Sequence, residues 1–540
     1  MDYAGILTNT PQTKPIPGKN QVENSAGGYV FQVDPWTALR RFLVIGTAGG
    51  TYYADEKDLT LKNADILVKL IKLDGPRFVA DVVKISVEGL AHKNDPAIFA
   101  LALAATHGDE ATKKAAYGAI ALGCRTGTHI FHFTDAVNKL RKWSRGLRTG
   151  VSKWYTEKAG GELEYQLVKY RQRDGWTHRD VMRLAHPKFA TAGQQELAKW
   201  AVGKPAEVGE FPRVAAFEAL QKPGVDKAEV ARLVKDAKLP WEAVPTQFLN
   251  DKDVLDALFE QMPMHALVRN LNRLTRAGLV APFSAREKDA AARITDAEAI
   301  KKSRMHPIAL LLALRTYAKG RPATGTGESW NPSQKICDAL EAAFYLSFGN
   351  VKPAGVPSIV ALDVAGSMSS SAAGTVLTAR EASTAMAMVT VRTEPDVLVV
   401  AFAAPNNGRG YDPGRKGFTE MPIGKNTSLR EALALSEQAS RTFCATDCSL
   451  PFRFAKARGI KGVGNFAVWT DSETYVGDVH PHQALEQYRQ FSGTASRSVV
   501  AATTSTGFTI ADPSDPLMLD VAGFSADVPS VIAAFARGEA

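Results

Sequence analysis

The chain has 540 residues, with 65 Lys and Arg against 56 Asp and Glu and a formal net charge of +9. That length predicts more than one domain. Apolar and charged fractions of 45% and 22% exclude a disordered or fibrous chain, and no apolar run is long enough to span a bilayer.

The N-terminal stretch, residues 1–24, is polar and rich in Pro, Thr and Asn. It lacks the apolar segment of a secretory signal and is expected to be a flexible arm. Four cysteines (Cys124, Cys337, Cys444 and Cys448) are too few for a disulfide framework. The Cys444/Cys448 pair has no further partners at zinc spacing, so reduced thiols and a cytoplasmic setting are expected.

Residues 35–348 read as helix after helix, within a helical-repeat domain placed at 25–350. Asp95-Pro96 predicts an N-cap and N1 proline, Gly108-Asp109 ends one helix and caps the next, and Thr128 is placed as the following cap. Thr177 with Asp180 is spaced as a capping box. Further helices are predicted over 254–267, 307–317 and 334–345. Short turns between so many helices predict an α-solenoid with degenerate repeats. Gly349 to Pro357 reads as a linker.

Residues 357–540 change period. Strands are predicted at 358–363, 397–402, 465–470 and 498–502, with helices at 375–391, 428–437, 450–457 and 482–491. This alternation predicts a parallel sheet covered by helices. Residues 404–427, rich in Gly, Pro, Asn and Arg, read as a loop or hairpin excursion.

Charge divides along the same line. Residues 357–540 carry 15 Lys and Arg against 18 Asp and Glu, whereas residues 1–356 carry 50 against 38. Basicity confined to the helical part suits a polyanion partner. Lys139, Arg141, Lys142, Arg145, Arg148 and Lys153 fall in one stretch with no acid, and Arg141, Arg145 and Arg148 would share a helix face. Without acidic partners, such a face favours phosphate contacts over simple solvation. Lys169 and Arg173 are one helical turn apart, followed by Arg179, Arg183 and His186. Cations beside Tyr and His suit RNA, although Asp174 and Asp180 are available as ion-pair partners.

Asp363 and Ser367 lie where the strand 358–363 ends, Thr446 lies in Ala445-Thr446-Asp447, and Asp471 ends another strand. Four oxygen donors on loops beyond strand ends suit a hard divalent cation such as Mg. They resemble the metal-ion-dependent adhesion site (MIDAS) of a von Willebrand factor A domain. The family pattern is Asp-x-Ser-x-Ser with a distant Thr and Asp. Ala365 stands at the first serine, so that either water fills the missing ligand position or the metal site is weak or empty. A dehalogenase-type phosphatase needs a second aspartate two residues after the first, and Ala365 opposes it. No Walker A, His-Glu-x-x-His or nucleophile-elbow motif occurs.

Taken in order, further segments resemble the Ro autoantigen family of TROVE-domain proteins, over nearly the whole chain. They are Gly49-Gly50-Thr51-Tyr52-Tyr53, Arg125 to Phe131, 169–186, Glu260 to Pro263, Leu267 to Leu271, Met305-His306-Pro307, Thr446 to Pro451, Thr470 to Thr474, His480-Pro481 and Gly507 to Pro513. The resemblance implies a ring of HEAT-like helical repeats closed by a von Willebrand factor A domain, in a bacterial, monomeric protein that stays off the membrane. It implies Y RNA bound on the outer surface, at positions matching Lys169, Arg173 and His186. Arg125 and Arg269 would face a central hole that admits single-stranded ends of misfolded or structured noncoding RNA. Cooperation with the exoribonuclease polynucleotide phosphorylase is implied too. Two competing expectations are a metal-dependent protein-interaction scaffold with incidental RNA binding, and a hydrolase built on Asp363 and Asp471. A scaffold needs no catalytic residue, and none is assigned.

Overall fold

A computed structural model describes residues 9–140, 143–322, 327–405 and 417–539. Helix follows helix from Pro35 to Leu346, and a helix-covered sheet makes up most of the remainder. Local signals explain most helix starts. The Asp34 carboxylate accepts from Trp36 and Thr37 N–H ahead of Pro35, Asp109 caps Glu110–Gly123, and Thr177 with Asp180 closes the expected capping box.

Several boundaries differ from expectation. Asn94, not Asp95, is the N-cap of Asp95–His107. Thr128 lies inside Gly127–Leu140, and it is Thr126 whose hydroxyl accepts from His129 N–H at 3.3 Å. The predicted helix over 254–267 is two helices, Lys252–Gln261 and Met264–Arg276, because Pro263 cannot donate to the preceding turn.

Helices pack mostly on those one or two places away along the chain, from Pro35–Ile45 with Glu56–Glu88 to Pro307–Ala318 with Gln334–Leu346. The array returns to its start. His306 Nε2 meets Leu90 O at 3.1 Å, and the Arg304 side chain lies against Gly89. His306 is fully buried, and burial drives its pKa down to about 3, so it is neutral in this contact.

The main sheet has strand order Met518–Ala522, Arg497–Ala502, Asn465–Thr470, Ser358–Asp363, Val397–Phe402, Phe418–Glu420. All pairs are parallel except the last. Of the 404–427 excursion, Ala404–Pro405 pairs with Phe443–Ala445 and Phe418–Glu420 forms the sheet edge; residues 406–416 lie outside the described residues. Strand Met518–Ala522 and helix Val528–Arg537 were not foreseen.

Both ends of the helical array dock on this domain. The fully buried Arg41 binds Asp520 Oδ1 through Nε at 2.9 Å and Oδ2 through Nη2. Its Nη1 donates to Thr506 O and Phe508 O at 3.0 and 2.9 Å. Arg315 pairs with Glu381 at 2.7 Å from the far end of the array.

The expected flexible arm is corrected for residues 9–24. Gln12 is fully buried, donating to Asp447 Oδ1 at 2.7 Å and Val479 O at 2.8 Å. Gln21–Glu23 joins a three-stranded sheet with Tyr29–Gln32 and Phe508–Thr509. A polar segment stays ordered here because buried polar partners, rather than an apolar core, take up its donors and acceptors.

Candidate nucleic-acid interface and metal-site loops

The basic run at 139–153 does not form one helical face. Gly127–Leu140 ends, and Arg145–Thr156 begins anew behind the Ser144 cap, whose hydroxyl accepts from Leu147 N–H. Arg145 and Arg148 are exposed on the second helix. Lys139 is paired with Asp135 at 2.7 Å, an acid one turn before the run that a reading of the run alone misses. Arg141 and Lys142 lie outside the described residues.

Lys169 and Arg173 also depart from the expected common helix. Lys169 is the last residue of Gly160–Lys169, whereas Arg173 sits in a small hairpin of Gln172–Arg173 and Trp176–Thr177. Asp174 and Gly175 turn the hairpin with φ of 49° and 81°. Two consecutive left-handed residues match the twist of a tight hairpin, which is why Asp-Gly stands there. Two side chains anchor it on Gly127–Leu140. His132 Nε2 meets Asp174 Oδ2 and His132 Nδ1 meets Asp95 Oδ1, both at 2.8 Å, and Trp176 Nε1 donates to Asp135 at 3.2 Å. The two carboxylates raise the His132 pKa to about 8 against a partial burial penalty.

The acids that could have neutralised the basic residues are therefore engaged elsewhere, Asp174 with His132 and Asp180 in the Thr177 capping box. Arg173 is left exposed at the hairpin tip. His186 is exposed as the left-handed C-cap of His178–Ala185. Lys169 is half-buried. Its ammonium donates to Tyr165 OH at 3.0 Å and lies over the Tyr165 and Tyr170 rings at 5.3 and 5.4 Å.

Arg125 is held by Ser86, donating to its carbonyl and to its hydroxyl, the latter at 2.9 Å. Arg269 is exposed on Met264–Arg276. Lys169, Arg125 and Arg269 share one electrostatic neighbourhood. Burial lowers the pKa of His265, and these three charges lower it further. The sequence had no signal for that grouping, since the residues come from separate helices.

In the C-terminal domain, the strand Ser358–Asp363 releases Asp363 into its loop as expected. Asp363 Oδ1 accepts from Ala365 N–H at 2.9 Å, and Oδ2 accepts from the Thr470 hydroxyl at 2.7 Å. Thr470 was missed by reading Asp471 alone. Burial, then the neighbouring Asp471 charge, pushes the Asp363 pKa up to about 8. Burial likewise raises Asp471, whose Oδ1 accepts from Glu473 N–H at 3.1 Å, and the buried Ser367 hydroxyl has no hydrogen-bond partner among the described residues. Thr446 is buried on the adjoining loop, where its carbonyl accepts from Tyr475 N–H at 3.1 Å.

Two repelling carboxylates beside Ser367, with Thr446 on the next loop, are the donors a hard cation could neutralise. The Ala365 methyl is buried where a further hydroxyl would complete the set. Among the described residues, no three His, Cys, Asp or Glu side chains converge as an alternative metal centre.

The chain itself narrows the approach to this site. Ser367 and Asp471 line a cavity of about 20 Å³ whose other walls include Gly46, Gly50 and Tyr52 of the helical part and Thr503 to Ser505. That volume holds a single water-sized occupant. Ser505 Oγ donates to Gly46 O at 2.8 Å, and Lys93 Nζ donates to Gly374 O at 2.9 Å across the same seam. From the other side, Asn24 Nδ2 donates to Thr474 O at 2.9 Å and Glu473 accepts from Ala26 N–H at 3.1 Å.

Comparison with known proteins agrees with this architecture. The TROVE domain family matches residues 22–231 and 230–321, and the Ro60 vWA domain matches residues 358–536. The chain is 38% identical to "RNA-binding protein RO60" of Deinococcus radiodurans over 540 residues, covering 98% of each. It is 33% identical to "RNA-binding protein RO60" of Caenorhabditis elegans, covering 99% of this chain and 93% of that one. The crystal structure of the Deinococcus radiodurans RO (RSR) protein superposes with a TM-score of 0.69 at 35% identity, covering 94% of this chain and all of that one. A helical array spanned by the TROVE match, joined to a sheet domain spanned by the Ro60 vWA match, places the chain in the Ro60 family of TROVE-domain proteins.

Proposed function

We propose that this protein is an RNA-binding scaffold that holds Y RNA on its outer basic surface and takes single-stranded ends of misfolded or structured noncoding RNA into a central hole. In that role it works beside an exoribonuclease of the polynucleotide phosphorylase type. The observation that carries the reading is the exposed Arg173 hairpin. Its neighbouring acids are tied to His132 and to a helix cap, so its charge stays available for phosphate. The names of the two relatives support RNA as the partner. A hole bordered by Arg125 and Arg269 would select by shape, passing single strands and stopping duplex.

A metal-borne protein partner is the weaker reading. An external acidic ligand would have to enter a cavity that Tyr52 and the residues beside it already narrow. If Mg binds, Asp363, Ser367, Thr446 and Asp471 hold it, and its charge would relieve the Asp363–Asp471 repulsion inside the fold. That is a structural use of the site.

Purifying the protein without nuclease and measuring its ultraviolet absorbance ratio tests the proposal, together with sequencing of the extracted RNA. A small set of defined structured RNAs is expected, lost on raising salt. A nucleic-acid-free preparation with no salt-sensitive RNA affinity would overturn it.

A further inference from the structure

Where the start of the helical array meets the sheet domain there is a cavity of about 260 Å³. At the volume each liquid water takes, that is room for roughly nine non-hydrogen atoms. Its floor is apolar. Phe42, Val44 and Ile45 are buried there, and the ring centre of the half-buried Phe99 lies 6.2 Å from that of Phe42. Ala373, on the loop that follows Ser367, supplies the wall from the sheet domain. That loop is pressed on the helical part, since a Cβ at Gly374 would meet the Ala48 Cβ at 2.5 Å.

Three charged residues line the same cavity, Lys93, Glu56 and Asp95. The Lys93 ammonium is half-buried and donates to Gly374 O at 2.9 Å, and among the described residues it pairs with no carboxylate. An ammonium held by one carbonyl keeps donors for an anion. Glu56 accepts from Gly49 N–H at 2.9 Å, and Asp95 meets His132 at 2.8 Å. Each carboxylate retains acceptor capacity for a further donor. An apolar floor bordered by one ammonium and two carboxylates complements a small zwitterion with an apolar tail.

We infer that this cavity binds a branched-chain α-amino acid of the size of leucine. Its carboxylate meets the Lys93 ammonium, its own ammonium meets Glu56 and Asp95, and its side chain covers the Phe42 and Phe99 floor. The walls come from both the helical part and the sheet domain, so the ligand bridges the seam between them. Binding therefore firms that junction in proportion to the free amino acid, by mass action. The site does not depend on the RNA-scaffold reading and shares none of its residues.

Calorimetric titration of the full-length protein with L-leucine tests this, beside isoamylamine, which lacks the carboxylate, and isocaproate, which lacks the amine. Saturable binding of leucine is expected, with each analogue weaker by about tenfold to 150-fold, the range of one hydrogen bond to a charged group. L-Alanine, which leaves the floor uncovered, should bind at least about tenfold weaker than leucine. Lys93→Met should weaken leucine at least about tenfold and leave isoamylamine within about twofold, because only leucine carries the carboxylate. Glu56→Gln should weaken leucine by about threefold or more, with Asp95 remaining, and should not weaken isocaproate. Glu56 is exposed, so its variant keeps the test open should Lys93→Met fail to fold. Leucine should also raise the melting temperature of the wild type. No saturable leucine binding to the wild type overturns the site. Leucine that binds no better than isoamylamine, or as well to Lys93→Met as to the wild type, does so too.

Discussion

The two regions that a sequence reading singles out meet the solvent in opposite ways. Asp363, Ser367, Thr446 and Asp471 are each at most 5% exposed, and their loops are clamped by residues 9–53 from outside their own domain. The hairpin at 172–177 has strands of two residues, an exposed tip and its nearby acids diverted. The region richest in chemically suggestive side chains serves the inside of the molecule, and the sparser one faces outward. A motif of ligand-type residues therefore identifies a domain more securely than it identifies a binding surface.

The largest effect expected from breaking this contrast is at the seam. Arg41→Ala leaves Asp520 buried without its cation and should destabilise the protein by about 3–5 kcal/mol. Arg173→Ala at the exposed tip should stay within about 0.5 kcal/mol. Urea unfolding measures both, and comparable costs would erase the distinction between clamped and open regions.

RNA affinity should respond in the reverse order. Lys169→Glu with Arg173→Glu should weaken Y RNA binding at least about tenfold and flatten the salt dependence by roughly one unit of slope per lost phosphate contact. An unchanged slope would show that neither residue touches phosphate.

A smaller effect is expected of magnesium. Millimolar Mg should raise the melting temperature by a few degrees, at roughly 2–4 °C per kcal/mol of linked binding, and Asp363→Asn should remove the response. RNA affinity that also requires Mg would contradict a purely internal role for the site.

The smallest effect is set by pH. His132 has its pKa raised to about 8 by Asp95 and Asp174. The stability it contributes is fully present below its unfolded value near 6.5 and is lost as pH rises through about 8. The hydrogen-exchange protection factor of the hairpin, taken relative to intrinsic base-catalysed exchange, should fall between those values in wild type. In His132→Gln it should already be small at low pH and change little across the window. A wild-type hairpin indifferent to pH over that range would separate it from His132.

Local chemistry explains what could be read in advance. The strand at 358–363 is apolar because both sheet faces are covered, and it ends in Asp363 where the chain leaves the sheet. The Asp174-Gly175 dipeptide suits two left-handed residues, and this turn chemistry overrides the helical spacing of Lys169 and Arg173, which stand on different elements. Ser144 gave the signal that splits the basic run, since a serine before Arg145–Thr156 caps a new helix.

The sequence by itself determined where helices give way to a parallel sheet, which residues end four of its strands, and that positive charge belongs to the helical part. Each follows from side-chain period, capping chemistry or composition, which act over a few residues. Only the tertiary structure decided which cations stay free and whether the metal-site loops face solvent. The partner of Arg173's neighbour Asp174 is 42 residues away, that of Arg41 is 479 away, and that of Gln12 is 435 away. Pairing over such separations comes from how the helical array closes on the sheet domain, which no local pattern encodes.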